Sequence, residues 1–282
     1  MLTRVSSTTR HVVLRDSFHG VLGTTLMGLA LLVVLFGPEI APYVPTEFHS
    51  AHRLEPPSLD FLLGTDQFGR DVFSRVLSGG RESILFGVIS TLLGTLGGLV
   101  IGVFSGYVGG RTDDVIMRLL DAIMAIPTLL LAMLVVTLLG PGQTNAILAV
   151  AISTWPGMAR VARSTTLDVR TQEYVTAARA RGESQVYIMF SEVVPNMLAP
   201  VIVEGSIRVA FAIMMGASLS FLGLGAQPPA SDWGLMVSEA RNYLFKAPWM
   251  TIGPGLGIAL AAMGFNLYGD ALRDALNPRV QR

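Results

Sequence analysis

The stretch TAARARGESQVYIMFSEVVPN, Thr176 to Asn196, is polar where the chain on either side of it is apolar, and its reading decides the fold. Just ahead of it and within it, Tyr174, Ala177, Ala178 and Arg181 recur at i, i+3, i+4 and i+7, so they share one helical face. Two alanines at the centre make that face narrow enough for a groove. Gly182 suits a helix C-terminus. A second helix is expected from Glu183, with Ser184 and Gln185 in its first turn. Val186, Met189, Phe190, Val193 and Val194 form its apolar face, and Pro195 is expected to end it. Two short helices at an angle make a knob. A knob of this kind docks on something; it is not built to span.

The flanking chain reads as membrane. Of 282 residues, 51% are hydrophobic and 14% charged, with a mean hydropathy of +0.56. A soluble protein carries roughly 25% charged residues. The fold class is all-α, a polytopic membrane protein with six expected spans: Val21–Tyr43, Ser83–Tyr107, Ile116–Leu139, Thr144–Val161, Met197–Phe221 and Trp249–Asp270. Trp155-Pro156-Gly157 interrupts the fourth. The organisation is a tail over 1–19, a first span over 20–43, an outside loop over 44–82 with an amphipathic helix, and a core over 83–270. That core contains the knob loop 162–196, and a second tail covers 271–282. The first span lies behind Arg4, Arg10 and Arg15 and lacks a small-x-small cleavage pattern, so it is expected to stay uncleaved. Zero net charge leaves no electrostatic footprint for nucleic acid. Without cysteine there are no disulfides, thiolate metal sites or cysteine nucleophiles.

Lysine and arginine set the orientation. With the N-terminus in the cytoplasm, thirteen fall in inside segments and six outside, while Arg208 lies within a span. Both termini and the knob are therefore expected on the cytoplasmic side. Arg70 and Arg75 run against this bias from the long outside loop, where the rule is weak.

Gly94, Gly98, Gly102 and Gly106 recur every four residues and line one face of the second span. Small residues at this spacing let helix backbones approach closely, which is the reading adopted over a substrate path along the glycines. Gly253, Gly257 and Ala261 repeat the device in the sixth span. Glu204 and Arg208 lie inside the fifth span at i and i+4, with Glu204 about 13 Å past Pro195 at 1.5 Å per residue. Charges at such depth must pair or face water. They form a structural ion pair, or line a pathway or partner surface. Outside, Thr65 or Asp66 is expected to cap the amphipathic helix, and Ser231 to cap another running to Leu244. His11, His19, His49 and His52 offer no convincing metal set, and no catalytic constellation is expected.

Several segments carry a family resemblance. Thr176-Ala177-Ala178, Gly182 and Glu192-Val193-Val194-Pro195 keep the register of the coupling loop of ATP-binding-cassette importer permeases. Thr176, Glu192 and Val194 depart from its usual Glu, Ile and Leu. Leu63-Gly64-Thr65-Asp66-Gln67-Phe68-Gly69-Arg70-Asp71 with Ser74-Arg75 resembles the signature of the dipeptide/oligopeptide/nickel permease family. Ser218-Leu219-Ser220-Phe221-Leu222-Gly223, then Gln227-Pro228-Pro229 and Trp233-Gly234, resembles another part of it, as does Glu173-Tyr174-Val175. Gly216 stands where members often carry an acid. The resemblance is to the second permease type of that family, in a bacterial cytoplasmic membrane. It implies a heterodimer with a second permease, two ATPase subunits holding ATP and Mg, and an external substrate-binding protein, all in membrane lipid. The coupling residues it implies are Glu173, Tyr174, Thr176, Ala177, Ala178, Arg181, Gly182 and Pro195. No cofactor is expected on this chain. Its only lysine, Lys246, follows Phe245, so no phosphate-binding G-x-x-x-x-G-K loop exists. Nickel or another small cargo, a gradient-driven carrier and a membrane scaffold are the alternatives; the knob disfavours the last two.

Overall fold

The computed structural model describes residues 18–276. The expected charges of the tails, Arg4, Arg10, Arg15, Arg279 and Arg282, lie outside the described residues, as does His11.

Among the described residues the main elements are helices: α1 (Phe18–Ile40), α2 (Val72–Val108), α3 (Gly110–Met124), α4 (Thr128–Leu139), α5 (Gln143–Val169), α6 (Glu173–Ala180), α7 (Gln185–Phe221), α8 (Trp233–Ala240) and α9 (Trp249–Leu276). Among the described residues, four helices are long and apolar enough to cross a membrane: α1, α2, α7 and α9. A fifth span arises if α3 and α4 are taken together. Leu29, Leu31 and Leu32 on α1 are more than half exposed, as lipid-facing side chains should be.

Five expected boundaries are corrected. The amphipathic outside helix and the second span are one helix, α2, capped by Asp71, whose carboxylate accepts the Ser74 N–H at 2.8 Å. Gly79 and Gly80 do not break it, because each faces a close neighbour, the Ser231 carbonyl and the Trp233 ring, that leaves no room for a side chain. The expected third span is two helices meeting at 91°. Pro127 lacks an N–H and disfavours helix at Ile126, so the chain turns there. Conversely, Pro156 sits inside α5, which runs unbroken to Val169. Pro195 does not end the knob's second helix either. The preceding turn over Ile188–Val193 is a π-helix, with the Val194 N–H bonded to the Met189 carbonyl, and this wider turn carries the helix past the proline into α7. Near the opposite end, Asp232 and not Ser231 caps α8, accepting the Leu235 N–H at 3.1 Å.

Two ends result. The knob end holds α6, the start of α7 and the C-terminus of α9. The opposite end, here the loop end, holds residues 41–71 and α8. One core cluster under the loop end joins Val72, Ile84, Ile213, Trp233, Met236 and Phe265. A second, under the knob, joins Tyr107, Met158, Ala162, Val175, Ile188 and Met197.

Candidate functional site

The knob has an inner and an outer face. Val175 and Ala178 of α6, and Ile188, Met189 and Val193 of α7, are buried against Val103, Met158 and Ala162. The face shared by Tyr174, Ala177, Ala178 and Arg181 is therefore split. Ala178 points into the core, while Tyr174, Ala177 and Arg181 point outward with Glu173 and Thr176. An eight-residue helix lying across the ends of longer ones must bury one side, and two alanines in succession straddle that boundary. The apolar residues of the second helix divide in the same way. Val186, Tyr187 and Phe190 are exposed by 61, 46 and 62%. Sequence periodicity assigned Phe190 to a single apolar face with Met189 and left Tyr187 unused; the two surfaces emerge only once the core is packed.

Gly182 turns the chain between the helices at φ +80°, with open space around it. Only its backbone conformation calls for glycine. Gly182→Ala is expected to cost about 1 kcal/mol, and Gly182→Asn less, as measured by unfolding in detergent. The Ser184 hydroxyl accepts the Tyr187 N–H at 3.2 Å and starts the second helix. Arg181 reaches Glu183 at 3.7 Å and Glu192 at 3.8 Å, clamping one helix to the other. Partial burial, and then the Glu192 carboxylate, raise the Tyr174 hydroxyl above its ordinary pKa. A cleft of about 720 Å³ opens beside the knob, lined by Tyr107, Arg170, Thr176, Arg179 and Glu183 among others.

The glycine row of α2 lies on α5. A side chain at Gly94 would strike the Thr154 hydroxyl, one at Gly98 the Ala159 backbone nitrogen, one at Gly102 the Ala162 Cβ, and one at Gly106 the Thr166 Cβ. Beyond Gly106, Asp113 accepts from Ser105 and from Nε and Nη2 of Arg163, and Arg170 Nη1 donates to the Gly106 carbonyl at 2.7 Å. This pins the knob end of α2 to α3 and α5. Arg208 Nη2 and Glu204 Oε1 stand 2.7 Å apart within α7. At Gly216, a Cβ would run into the Phe86 ring, so that site has no room for an acid.

At the loop end, Asp66, Arg70, Arg75 and Glu239 form a neutral four-membered cluster. Asp66 Oδ2 meets Arg70 Nε at 2.6 Å and Arg75 Nη1 at 2.9 Å; Glu239 Oε2 meets Arg75 at 2.9 Å and Arg70 at 3.0 Å. Asp66 also accepts the backbone N–H groups of Phe68 and Arg70. Asp66 therefore organises the loop and does not cap α2. Ser83 donates to Asp232 at 2.7 Å and accepts the Trp233 N–H at 3.0 Å, fixing α8 to α2. His52 pairs with Glu55 at 3.0 Å, and His49 packs edge-on to Tyr43. Among the described residues no group of three or more His, Asp or Glu is placed to hold a metal ion.

The chain is similar to known proteins over nearly its whole length. The chain is 42% identical to the di/tripeptide transport system permease protein DppC of Pseudomonas aeruginosa, over 92% of this chain and 88% of that one. It is 40% identical to the glutathione transport system permease protein GsiD of Pectobacterium atrosepticum, over 93% and 88%. The family of inner membrane components of binding-protein-dependent transport systems matches residues 98–282. The chain belongs to this permease family. The permease is the inner-membrane component of an ATP-binding-cassette importer and not its ATPase. Its fold is shared with the inward-facing MetNI methionine ABC transporter, at a TM-score of 0.58 and 18% identity, over 72% of the permease and 97% of that chain.

Proposed function

We propose that this permease pairs with a second permease to form the path for di- or tripeptides delivered by an external binding protein. Six passes are the reading: α1, α2, α7 and α9, the bent pair α3–α4, and α5, which is less apolar than the others and crosses within the bundle. The knob end, with both termini, is cytoplasmic. Two ATPase subunits, holding ATP and Mg, dock on the knobs of the two permeases. One observation carries the docking: Tyr174, Ala177, Val186, Tyr187 and Phe190 stay exposed on a knob whose Val175, Ala178, Ile188, Met189 and Val193 are buried. Exposed apolar groups clustered on a rigid base mark an interaction surface. The peptide cargo rests on the relatives' names, which favour peptides over nickel.

Ala177→Trp and Phe190→Asp test the docking without touching the interior. Each is expected to detach the ATPase from the purified complex and to lower peptide uptake at least tenfold, with the permease's own unfolding temperature unchanged. Normal copurification and normal uptake in both would remove the knob from the docking role. Uptake of a labelled dipeptide, set against nickel uptake by the same complex, tests the cargo class.

A further inference from the structure

Arg208 stands midway along the apolar part of α7, about 20 Å from both Pro195 and Phe221 at 1.5 Å per residue. An arginine at that depth is strongly unfavourable unless it has partners or faces a cavity. Glu204 supplies one partner, at Nη2. The Nε of Arg208 is buried and has none. The guanidinium lies on Gly157, where a Cβ would come within 2.7 Å of Nη2. Pro156-Gly157 thus makes the room that the charge occupies.

Arg208 also lines a cavity of about 210 Å³ shared with Thr128, Ser153, Thr154 and Phe211. Thr128 is the first residue of α4, and no side chain caps the N–H groups of that helix start. Glu204 does not line this cavity; it lines another, with Pro200 and Arg273. The cavity therefore combines a guanidinium, the positive end of a helix and three hydroxyls, with no carboxylate among its lining residues. It sits beside the bend between α3 and α4, level with the middle of α7, and opens where Ile123, Met124 and Ile126 are exposed. Interrupted helices at such depth are tolerated where they surround a cavity, and transporters place cargo sites there.

We propose that Arg208 reads the free carboxylate of the passing cargo, and that Glu204 holds the guanidinium between transport events. The planar fork of arginine matches a carboxylate through two parallel hydrogen bonds. Glu204 neutralises the charge at rest, from the side away from the cavity. This inference rests on the peptide reading above.

The test uses the complete transporter with its binding protein, supplied with alanyl-alanine or its C-terminal amide. Each peptide's affinity for the binding protein is measured first, and both are used at saturation. Wild type is expected to take up the acid about tenfold faster than the amide, a ratio set by one charge-assisted hydrogen-bonded contact. Arg208→Gln should bring the ratio near one, and Glu204→Gln should keep it. Should Arg208→Gln not assemble, Arg208→Lys keeps the charge without the fork and should lower the ratio. A wild type without preference, a ratio unchanged in the Arg208 variant that assembles, or a ratio lost in Glu204→Gln overturns the role of Arg208. If wild type takes up neither peptide, the peptide reading itself fails, which is a separate result.

Discussion

Gly98→Leu is expected to abolish assembly of the permease. A Cβ at Gly98 would lie within 2.9 Å of both the Ala159 backbone nitrogen and the Trp155 carbonyl, and even nearer the Met158 Cβ. Neither backbone atom can swing aside, so α2 and α5 would have to separate. Separation would also open the contacts at Gly94, Gly102 and Gly106, which share the interface. Overpacking a tight core costs typically 1–3 kcal/mol, and a collision between helix backbones belongs above that range. The expected readout is a drop of at least tenfold in folded protein recovered in detergent. Gly255 is the matched control, because a Cβ there would meet nothing within 4 Å. Gly255→Ala should leave yield unchanged or slightly higher, since alanine favours helix over glycine. Equal recovery of Gly98→Leu and wild type would show that α2 and α5 are not in backbone contact.

The second large effect is at the loop end. Arg75 is almost wholly buried and bonded to both Asp66 and Glu239. Arg75→Met fills the same space but leaves two carboxylates sharing the Arg70 guanidinium alone. Breaking a buried pair from one side costs about 3–5 kcal/mol, because a charge is left without compensation. The loop over 41–71 should then loosen from α8, seen as faster proteolysis there and a lower unfolding temperature. Asp66→Asn combined with Arg75→Met removes one charge of each sign, and Arg70 with Glu239 remains a pair. Asparagine keeps an oxygen for the Phe68 and Arg70 N–H groups that Asp66 Oδ1 accepts. The double variant should therefore be more stable than Arg75→Met. A double variant as damaged as the single one would mean that packing, not charge balance, dominates at Arg75.

That cluster also explains two residues that ran against the charge bias. Arg70 and Arg75 are exceptions in a segment expected outside because they are interior residues at that end, held by acids. Their motif was visible in the sequence, and Asp66 belongs to it. Glu239 was not visible, since it lies 164 positions from Arg75 and nothing local marks it.

What the sequence by itself determined is local and periodic. The four-residue glycine spacing specified one face of α2, the i,i+4 spacing specified the Glu204–Arg208 pair, and Gly182 with Ser184 specified the break in the knob. Each depends only on helix geometry over one or two turns. Composition and apolar run length likewise established an all-helical membrane chain. What only the tertiary structure decided is which surface each helix turns inward and which prolines interrupt. Ala177 and Ala178 are chemically equal, yet packing on Met158 and Ala162 buries one and leaves the other exposed. Pro127 ends a helix, while Pro156 and Pro195 do not. A proline in a helix interior removes one hydrogen bond. Whether the chain then bends, widens into a π turn or runs straight depends on the neighbours packed around it, and these come from distant parts of the chain.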